Sequence, residues 1–560
     1  MNKGTPPPGN GMSMKVGLQL TLLAAICFCA FFAHLGAHDV DIMEARNFVT
    51  AREMAVSGNW LVPTLNGALR IAKPPLPTWI TAAARIAGGD IDDNALMRLP
   101  AALAACLMVL ALWGLVRVIA KDRLMPFMCA AVLATCMLII DNGRRGSWDI
   151  YCHSFMLTAV WALTYGWEKA PAWAWSFVAA GLFMAFSFMS KGPVAFYALL
   201  LPFIISYAVY GDRRRIFGHW PWLVLSLLLA VAISAAWPLY IYCTHPQAVG
   251  MAAAAETAAW ANRHVRPVYF YLSFPFYAGI WALFAVVGLY RPYARNRLTD
   301  SGRYGFLLLW ILIGLLLLSI IPEKKERYLM PLMIPLSIVI GGLFRSLMWI
   351  FQSGTAQNSD NRLLAAHTTF IGVISLCAPA ALFYYGHGNG LLTAAGAAVW
   401  SIPFVFIFGS TVACGRQKRV GGLFGLSIVL VCLITLSMPP VIYRSPIFRN
   451  NPEYRSLRHL RTLKVVNALN CYHIGEINPV VVWNVGKPIK TIPSDGGSLP
   501  LDDLPFVLMS NENLLDHISA SIIDRLKVTP MGKFKYDPRK SSKEKWVALI
   551  QRADNNRQAH

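Results

Sequence analysis

Most of the chain between Val16 and Pro440 is a succession of apolar runs, each long enough as a helix to cross the roughly 30 Å hydrocarbon layer of a bilayer. Backbone placed in lipid must satisfy its own hydrogen bonds, so a chain of this kind is confined to a bundle of membrane helices. The runs lie near 16–37, 96–119, 124–140, 151–168, 172–190, 194–210, 221–243, 269–290, 305–321, 328–351, 366–385, 391–410 and 421–439, which gives about thirteen spans. Composition agrees. Charged residues make up 14% of the chain, against about 25% in soluble domains. The 18 Trp and 20 Tyr suit two membrane interfaces. The expected fold class is an α-helical polytopic membrane protein.

The net charge of +22 sits in loops, where Lys and Arg fix topology and touch anionic headgroups. No basic stretch interleaves with aromatics in a soluble segment, so nucleic acid is not an expected partner. The Cys residues fall almost entirely inside apolar runs (Cys27, Cys29, Cys106, Cys129, Cys136) and lack Cys-x-x-Cys spacing, which excludes a cysteine zinc site. The first run is longer than a signal-peptide core, and Leu35-Gly36-Ala37 is a poor cleavage site. It is read as a retained helix with its N-terminus in the cytoplasm. The loops at Lys121-Asp122-Arg123, Arg213-Arg214-Arg215, 291–303 and Arg416-Gln417-Lys418-Arg419 are then basic and cytoplasmic.

An odd number of spans leaves the segment after Pro440 outside, so two domains are expected: a transmembrane domain at 1–440 and an extracytoplasmic α/β domain at 441–560. In the second, Val480-Val481-Val482-Trp483 reads as a buried strand, and 511–527 and 543–552 as helices. Its single Cys, Cys471, leaves it without an internal disulfide.

Several cations break the positive-inside pattern. The long first external loop, 38–95, carries Asp39, Asp41, Glu44, Arg46, Arg52, Glu53, Arg70 and Lys73, with helical character at 44–57 and an amphipathic segment at 77–88. Arg144, Arg145 and Asp149 stand at the mouth of a span, Lys191-Gly192-Pro193 closes another, and Arg263-His264-Val265-Arg266 and Glu323 to Tyr328 flank more. Each Lys alone is explained by snorkelling. Together, cations and acids gathered at one membrane depth suit a lipid-linked phosphate, which Arg grips bidentately and Lys meets as a point charge. The alternative for Asp149 is a structural ion pair with Arg144 or Arg145.

The ordered series Met43-Glu44-Ala45-Arg46-Asn47, Ala51-Arg52-Glu53-Met54, Gly58-Asn59-Trp60-Leu61-Val62-Pro63, Leu65-Asn66-Gly67 and Lys73-Pro74-Pro75-Leu76-Pro77 resembles the first periplasmic loop of the aminoarabinose transferases that modify lipid A. These belong with the protein mannosyltransferases in the GT-C glycosyltransferase fold. Asp149, Lys191-Gly192-Pro193 and Arg327-Tyr328-x-x-Pro331 extend the likeness over roughly the first 340 residues, the C-terminal part matching in layout alone. The resemblance implies a bacterial inner-membrane enzyme with a periplasmic active site. Its donor would be a polyprenyl-phosphate-linked sugar, its acceptor a lipid or glycan, and its partners otherwise the membrane lipids. By position it implies Glu44 and Asp149 as the acidic pair, and Arg46 and Lys73 as donor-phosphate ligands with Lys191 and Arg327 beside them. Arg144, Arg145, His264, Arg266, Lys325 and Tyr328 are further candidates.

Two positions depart from the family. Met43-Glu44 stands where relatives commonly have Asp-Glu, and Ala72 stands where they carry the Glu that, with His264 as partner, is a metal-site candidate. No cofactor is therefore expected, a divalent metal being the alternative. Displacing polyprenyl phosphate from an anomeric carbon builds charge on the leaving group, which fixed Arg and Lys stabilise. A hydroxyl acceptor would need a carboxylate base; an ionised phosphate acceptor would not. The competing readings are transfer of another sugar to a glycan or protein, and a transporter or flippase of a polyprenyl-linked sugar. A transporter should show midspan charges and paired broken helices.

Overall fold

The computed structural model describes residues 14–169, 173–298, 301–444, 456–493, 499–514, 523, 525–536 and 544–553. Among them, nine helices are long and apolar enough to cross a membrane, and a tenth span is counted if the bent pair Met125–Ala134 and Met137–Gly143 is one. The chain is a multi-pass membrane protein. The thirteen-span expectation is not reproduced by this measure. Val16–Phe32 and Phe196–Tyr210 are shorter apolar helices, and Trp148–Glu168, despite 21 residues, is not among the nine.

By compactness the chain divides into two units, one of Met1–Leu35, Ile71–Ile80 and Arg98–Pro439, the other of Gly36–Arg70, Thr81–Met97 and Pro440–His560. In the first, helix Trp148–Glu168 packs against helix Trp173–Lys191, which in turn packs against Trp220–Thr244. Trp281, Phe284 and Phe344 fill its centre, the two Phe rings stacking at 3.8 Å. The bent pair turns by 63° at Thr135-Cys136. There the Thr135 hydroxyl donates to the Ala131 carbonyl at 2.6 Å and accepts from Trp281 Nε1 at 2.9 Å, so the break leaves its polar groups satisfied inside the bundle. Gly279 opposes the bend at φ 68°, where a Cβ would come within 2.9 Å of the Met137 Cβ. Only glycine fits both conditions.

In the second unit, helix Ile42–Ser57 begins with a capping box in which the Asp41 carboxylate accepts from the Met43 and Glu44 amides at 2.7 and 2.9 Å. The Asn66-Gly67 pair, at φ 54° and 79°, closes a hairpin between Thr64–Leu65 and Ala68–Leu69, the backbone such two-residue turns require. Glu53 fixes the turn by accepting from Thr64 and from the Asn66 amide at 2.6 and 2.7 Å. The C-terminal residues form a five-stranded sheet in the order Lys490–Ile492, Cys471–Ile474, Phe506–Ser510, Glu544–Arg552, Leu526–Lys535. The first two pairings are parallel and the last two antiparallel.

Two sequence expectations fail in this sheet region. Residues 480–483 lie in a helix, Pro479–Val485, not a strand. The Asn478 side chain caps it at the Val480 amide, Pro479 holds its first position, and Gly486 ends it at φ 91°. Residues 544–552 form a strand, not a helix, paired on both sides. Of 511–527, Leu526 and Lys527 begin a strand, while 515–522 lie outside the described residues.

The same unit is held by a charge network. Asp92 accepts from Arg52 Nη1 at 3.2 Å and Arg85 Nε at 2.9 Å, with Arg461 Nη1 at 3.9 Å. The Arg52 and Arg461 guanidiniums lie 5.8 and 4.9 Å from the Trp483 ring, a wholly buried indole that donates to Asn94 Oδ1 at 3.1 Å.

Candidate active site

The first unit gathers charge where several helices end. Asp149 stands in the first turn of Trp148–Glu168, where the helix dipole favours an acid. Lys191 is the last residue of Trp173–Lys191, which Gly192 (φ 70°) and Pro193 terminate. Because these consecutive helices pack together, the first turn of one meets the last turn of the other. Arg327 and Tyr328 come from a short 3₁₀ turn, Glu326–Leu329, that leads into Met330–Gln352.

These parts converge on one carboxylate. Asp149 is wholly buried, Lys191 Nζ donates to its Oδ1, and Arg327 Nε lies 3.3 Å from its Oδ2 as an ion pair without hydrogen-bond alignment. Lys191 Nζ also sits 4.4 Å from the centre of the Tyr328 ring. Two cations share one acid, so the cluster holds a net charge of +1 in a place where charge is costly to bury. The pairing of Asp149 with Arg144 or Arg145 does not occur. Arg144 donates to the carbonyls of Ala30, Ala33 and His34, capping the end of the first helix, and Arg145 pairs with Asp141 at 2.9 Å.

A second group lies beside a backbone pairing. Residues 264–266 run antiparallel to 322–324, with Val265 bridged to Glu323 and the Lys324 amide donating to the His264 carbonyl at 3.1 Å. The His264 and Arg266 side chains are exposed there, and His264 adopts φ 52°. Glu323 accepts from Lys325 Nζ at 2.6 Å and Arg263 Nε at 3.3 Å, and the Lys325 amide donates to Tyr271 Oη at 3.1 Å. Burial raises the Glu323 pKa, but the Lys325 hydrogen bond and the Arg263 charge outweigh it and hold the carboxyl below its ordinary range. Burial lowers the Lys325 pKa, against the pull of Glu323.

Lys73, on the bend before helix Leu76–Ala87, pairs with Glu256 at 3.1 Å. In the second unit Glu44 is wholly buried and its Oε2 accepts from the Asp41 amide at 3.1 Å, while Arg46 Nη1 lies 3.9 Å from Met43 Sδ. The structure thus brings together Asp149, Lys191, Arg327 and Tyr328, and places Glu44 and Arg46 in a different unit. The sequence motifs did not single out Glu256 or His153, and marked Glu323 only within the charged run to Tyr328. His153, one turn after Asp149, is 1% exposed, and neither ring nitrogen finds a hydrogen-bond partner among the described residues. Glu256 did leave a signal, as the single charge in Pro246–Asn262.

A divalent metal would need donors that this chain lacks at the family's position: Ala72 offers none. The described His, Cys, Asp and Glu side chains form no group of three or more able to hold an ion.

The family model of dolichyl-phosphate-mannose-protein mannosyltransferases matches residues 72–240, a stretch that includes Lys73, Asp149 and Lys191. An undecaprenyl phosphate-alpha-4-amino-4-deoxy-L-arabinose arabinosyl transferase of Pseudomonas fluorescens is 26% identical over 527 residues, covering 89% of this chain and 85% of the relative. The like-named enzyme 1 of Sodalis glossinidius is 24% identical over 566 residues, covering 94% and 96%. The crystal structure of ArnT from Cupriavidus metallidurans bound to undecaprenyl phosphate superposes with a TM-score of 0.68 at 15% identity, covering 95% of this chain and 97% of that one. The chain is a glycosyltransferase similar to these enzymes over nearly its whole length, and it has the fold of ArnT. The likeness to ArnT extends over both units of the chain, so the C-terminal sheet belongs to the shared architecture.

Proposed function

We propose that this protein is a bacterial inner-membrane transferase that moves aminoarabinose from undecaprenyl phosphate to lipid A on the periplasmic side. The observation that carries the reading is the Asp149–Lys191–Arg327 cluster, whose net charge of +1 complements a phosphodiester monoanion. The names of the full-length relatives supply the donor sugar and its lipid carrier.

In the proposed reaction the acceptor oxygen bonds to the anomeric carbon as the bond from that carbon to the phosphate oxygen breaks. The electron pair leaves with the polyprenyl phosphate, and the configuration inverts. Lys191 and Arg327, with Lys73 of the same unit, meet the charge that grows on the leaving phosphate. Asp149 holds the first two in place, since both its oxygens face cations. A phosphate acceptor arrives ionised and needs no base. A hydroxyl acceptor gives its proton to a carboxylate. Lys325, Tyr328, Arg266 and His264 frame the acceptor side, and Arg144 and Arg145 serve the helix ends.

The test is reconstitution of purified protein with an undecaprenyl-phosphate-linked aminoarabinose donor and, separately, lipid A, a glycan and a peptide. Modified lipid A is expected. Transfer to a glycan or peptide instead would move the acceptor to the mannosyltransferase side of the family, and movement of donor across the membrane without transfer would replace the enzyme by a transporter.

A further inference from the structure

Helix Pro246–Asn262 carries one charged residue, and that residue lines a cavity. Glu256 shares a face with Val249, Ala252 and Ala253, at the i, i+3, i+4 and i+7 positions that pack together on a helix. With Ile71, Ala72, Trp237 and Ile241 these residues line a cavity of about 220 Å³. A carboxylate in such a wall is costly to bury unless it is paired. Its ion-pair partner among the described residues is Lys73 Nζ, at 3.1 Å, and each side chain is about a quarter exposed (28% and 27%). The helix has no local use for an acid at this point, since Ala and Thr fill the neighbouring positions.

We infer that Glu256 is a positioning residue for Lys73, holding the ammonium in place and competing with the lipid-linked phosphate for it. This rests on the proposed role of Lys73 as a donor-phosphate ligand. Lys73 sits on a bend with a flexible four-carbon stem, and the pair fixes where its charge points. The competition also has a direction. The donor phosphodiester has one negative charge, whereas the phosphate monoester released by transfer has about −1.5 to −2 at neutral pH. Product is therefore held more strongly by Lys73 than donor is, and a carboxylate sharing the ammonium offsets that excess and speeds release. Glu256 brings a carboxylate to the lysine from helix Pro246–Asn262.

The experiment measures the Kd of a short-chain polyprenyl phosphate for full-length protein in detergent, together with KM and kcat for the donor. The wild type is compared with Glu256→Gln, Glu256→Ala, Lys73→Ala and the Lys73→Ala/Glu256→Gln double variant. Glu256→Gln should bind polyprenyl phosphate about two- to fivefold tighter, the scale of a partly exposed ion pair, with donor KM falling in parallel and kcat not rising. In the Lys73→Ala background the gain should vanish. Glu256→Ala, which supplies the residue commonest in this helix, should behave as Glu256→Gln does if the amide variant folds poorly. Unchanged or weaker binding in folded Glu256 variants, with Lys73→Ala weakening it as expected, would overturn this inference and leave the proposed function standing. Unchanged binding in Lys73→Ala would overturn both.

Discussion

Replacing Asp149 with Asn removes one charge from a site built around it. The carboxylate is wholly buried between Lys191 and Arg327, whose side chains are 8% and 20% exposed. Asparagine keeps the shape and can accept one hydrogen bond, but it removes the negative charge that Lys191 and Arg327 both face. Removing one partner of a buried pair costs about 3–5 kcal/mol. Arg327 retains some solvent, which places this site at the lower end, about 3 kcal/mol. If that loss falls on the transition state, turnover drops about 10²-fold, because each 1.36 kcal/mol is a factor of ten. Stability separates this account from simple disruption. Adding Lys191→Met to Asp149→Asn removes the excess cation, so the double variant should melt above the single Asp149→Asn variant while remaining inactive. Melting curves and initial rates with labelled lipid-linked donor, taken on the same preparations, measure both quantities. Wild-type turnover in Asp149→Asn, or stability losses that simply add in the double variant, would refute the reasoning.

Lys73→Ala removes a charge-assisted hydrogen bond worth about 1.5–3 kcal/mol, so donor affinity should weaken at least tenfold by titration. Asp92→Asn removes the carboxylate that pairs with the buried Arg52, while Arg85 keeps Asp90 at 2.7 Å, and should destabilise the unit of the first loop and the tail by about 3 kcal/mol, seen as faster proteolysis of the C-terminal segment. Burial, with Lys545 beside it, pushes the buried His473 pKa from the ordinary 6.5 down to about 4. Between those values the unfolded chain binds the proton and the folded one does not, so stability is full above pH 6.5 and falls toward pH 4 by about 1.4 kcal/mol per unit. Melting of the wild type should drop more steeply than that of His473→Gln across this window, and parallel curves would contradict the assignment.

The membrane class was legible because long apolar runs admit few alternatives. Helix Ile42–Ser57 and the Asn66-Gly67 turn were legible because caps and turns are written in local residues. Val480 to Trp483 misled because a short run buried on every side has no period to distinguish strand from helix. The distinguishing marks, Asn478-Pro479 before it and Gly486 after, lay at its edges. Glu544–Arg552 misled in the opposite sense: its sheet partners come from distant segments, and pairing overrode a sequence that reads as helical. The site was partly legible. Asp149, Lys191 and Arg327 each drew notice as a charge at a span end, but their convergence on one carboxylate depends on three helix ends meeting, which no spacing encodes. Glu256 was visible as a lone acid, yet its meaning depends on Lys73, 183 residues away.

The central claim is that sugar reaches the acceptor from a polyprenyl phosphate, with that phosphate as the leaving group. Quantitative mass spectrometry of lipids from a reconstituted reaction tests it most directly. The account predicts one undecaprenyl phosphate released for each lipid A modified, in the absence of any nucleotide sugar. Modified lipid A formed from a nucleotide sugar, or donor consumed without an equal yield of undecaprenyl phosphate and modified acceptor, would contradict it.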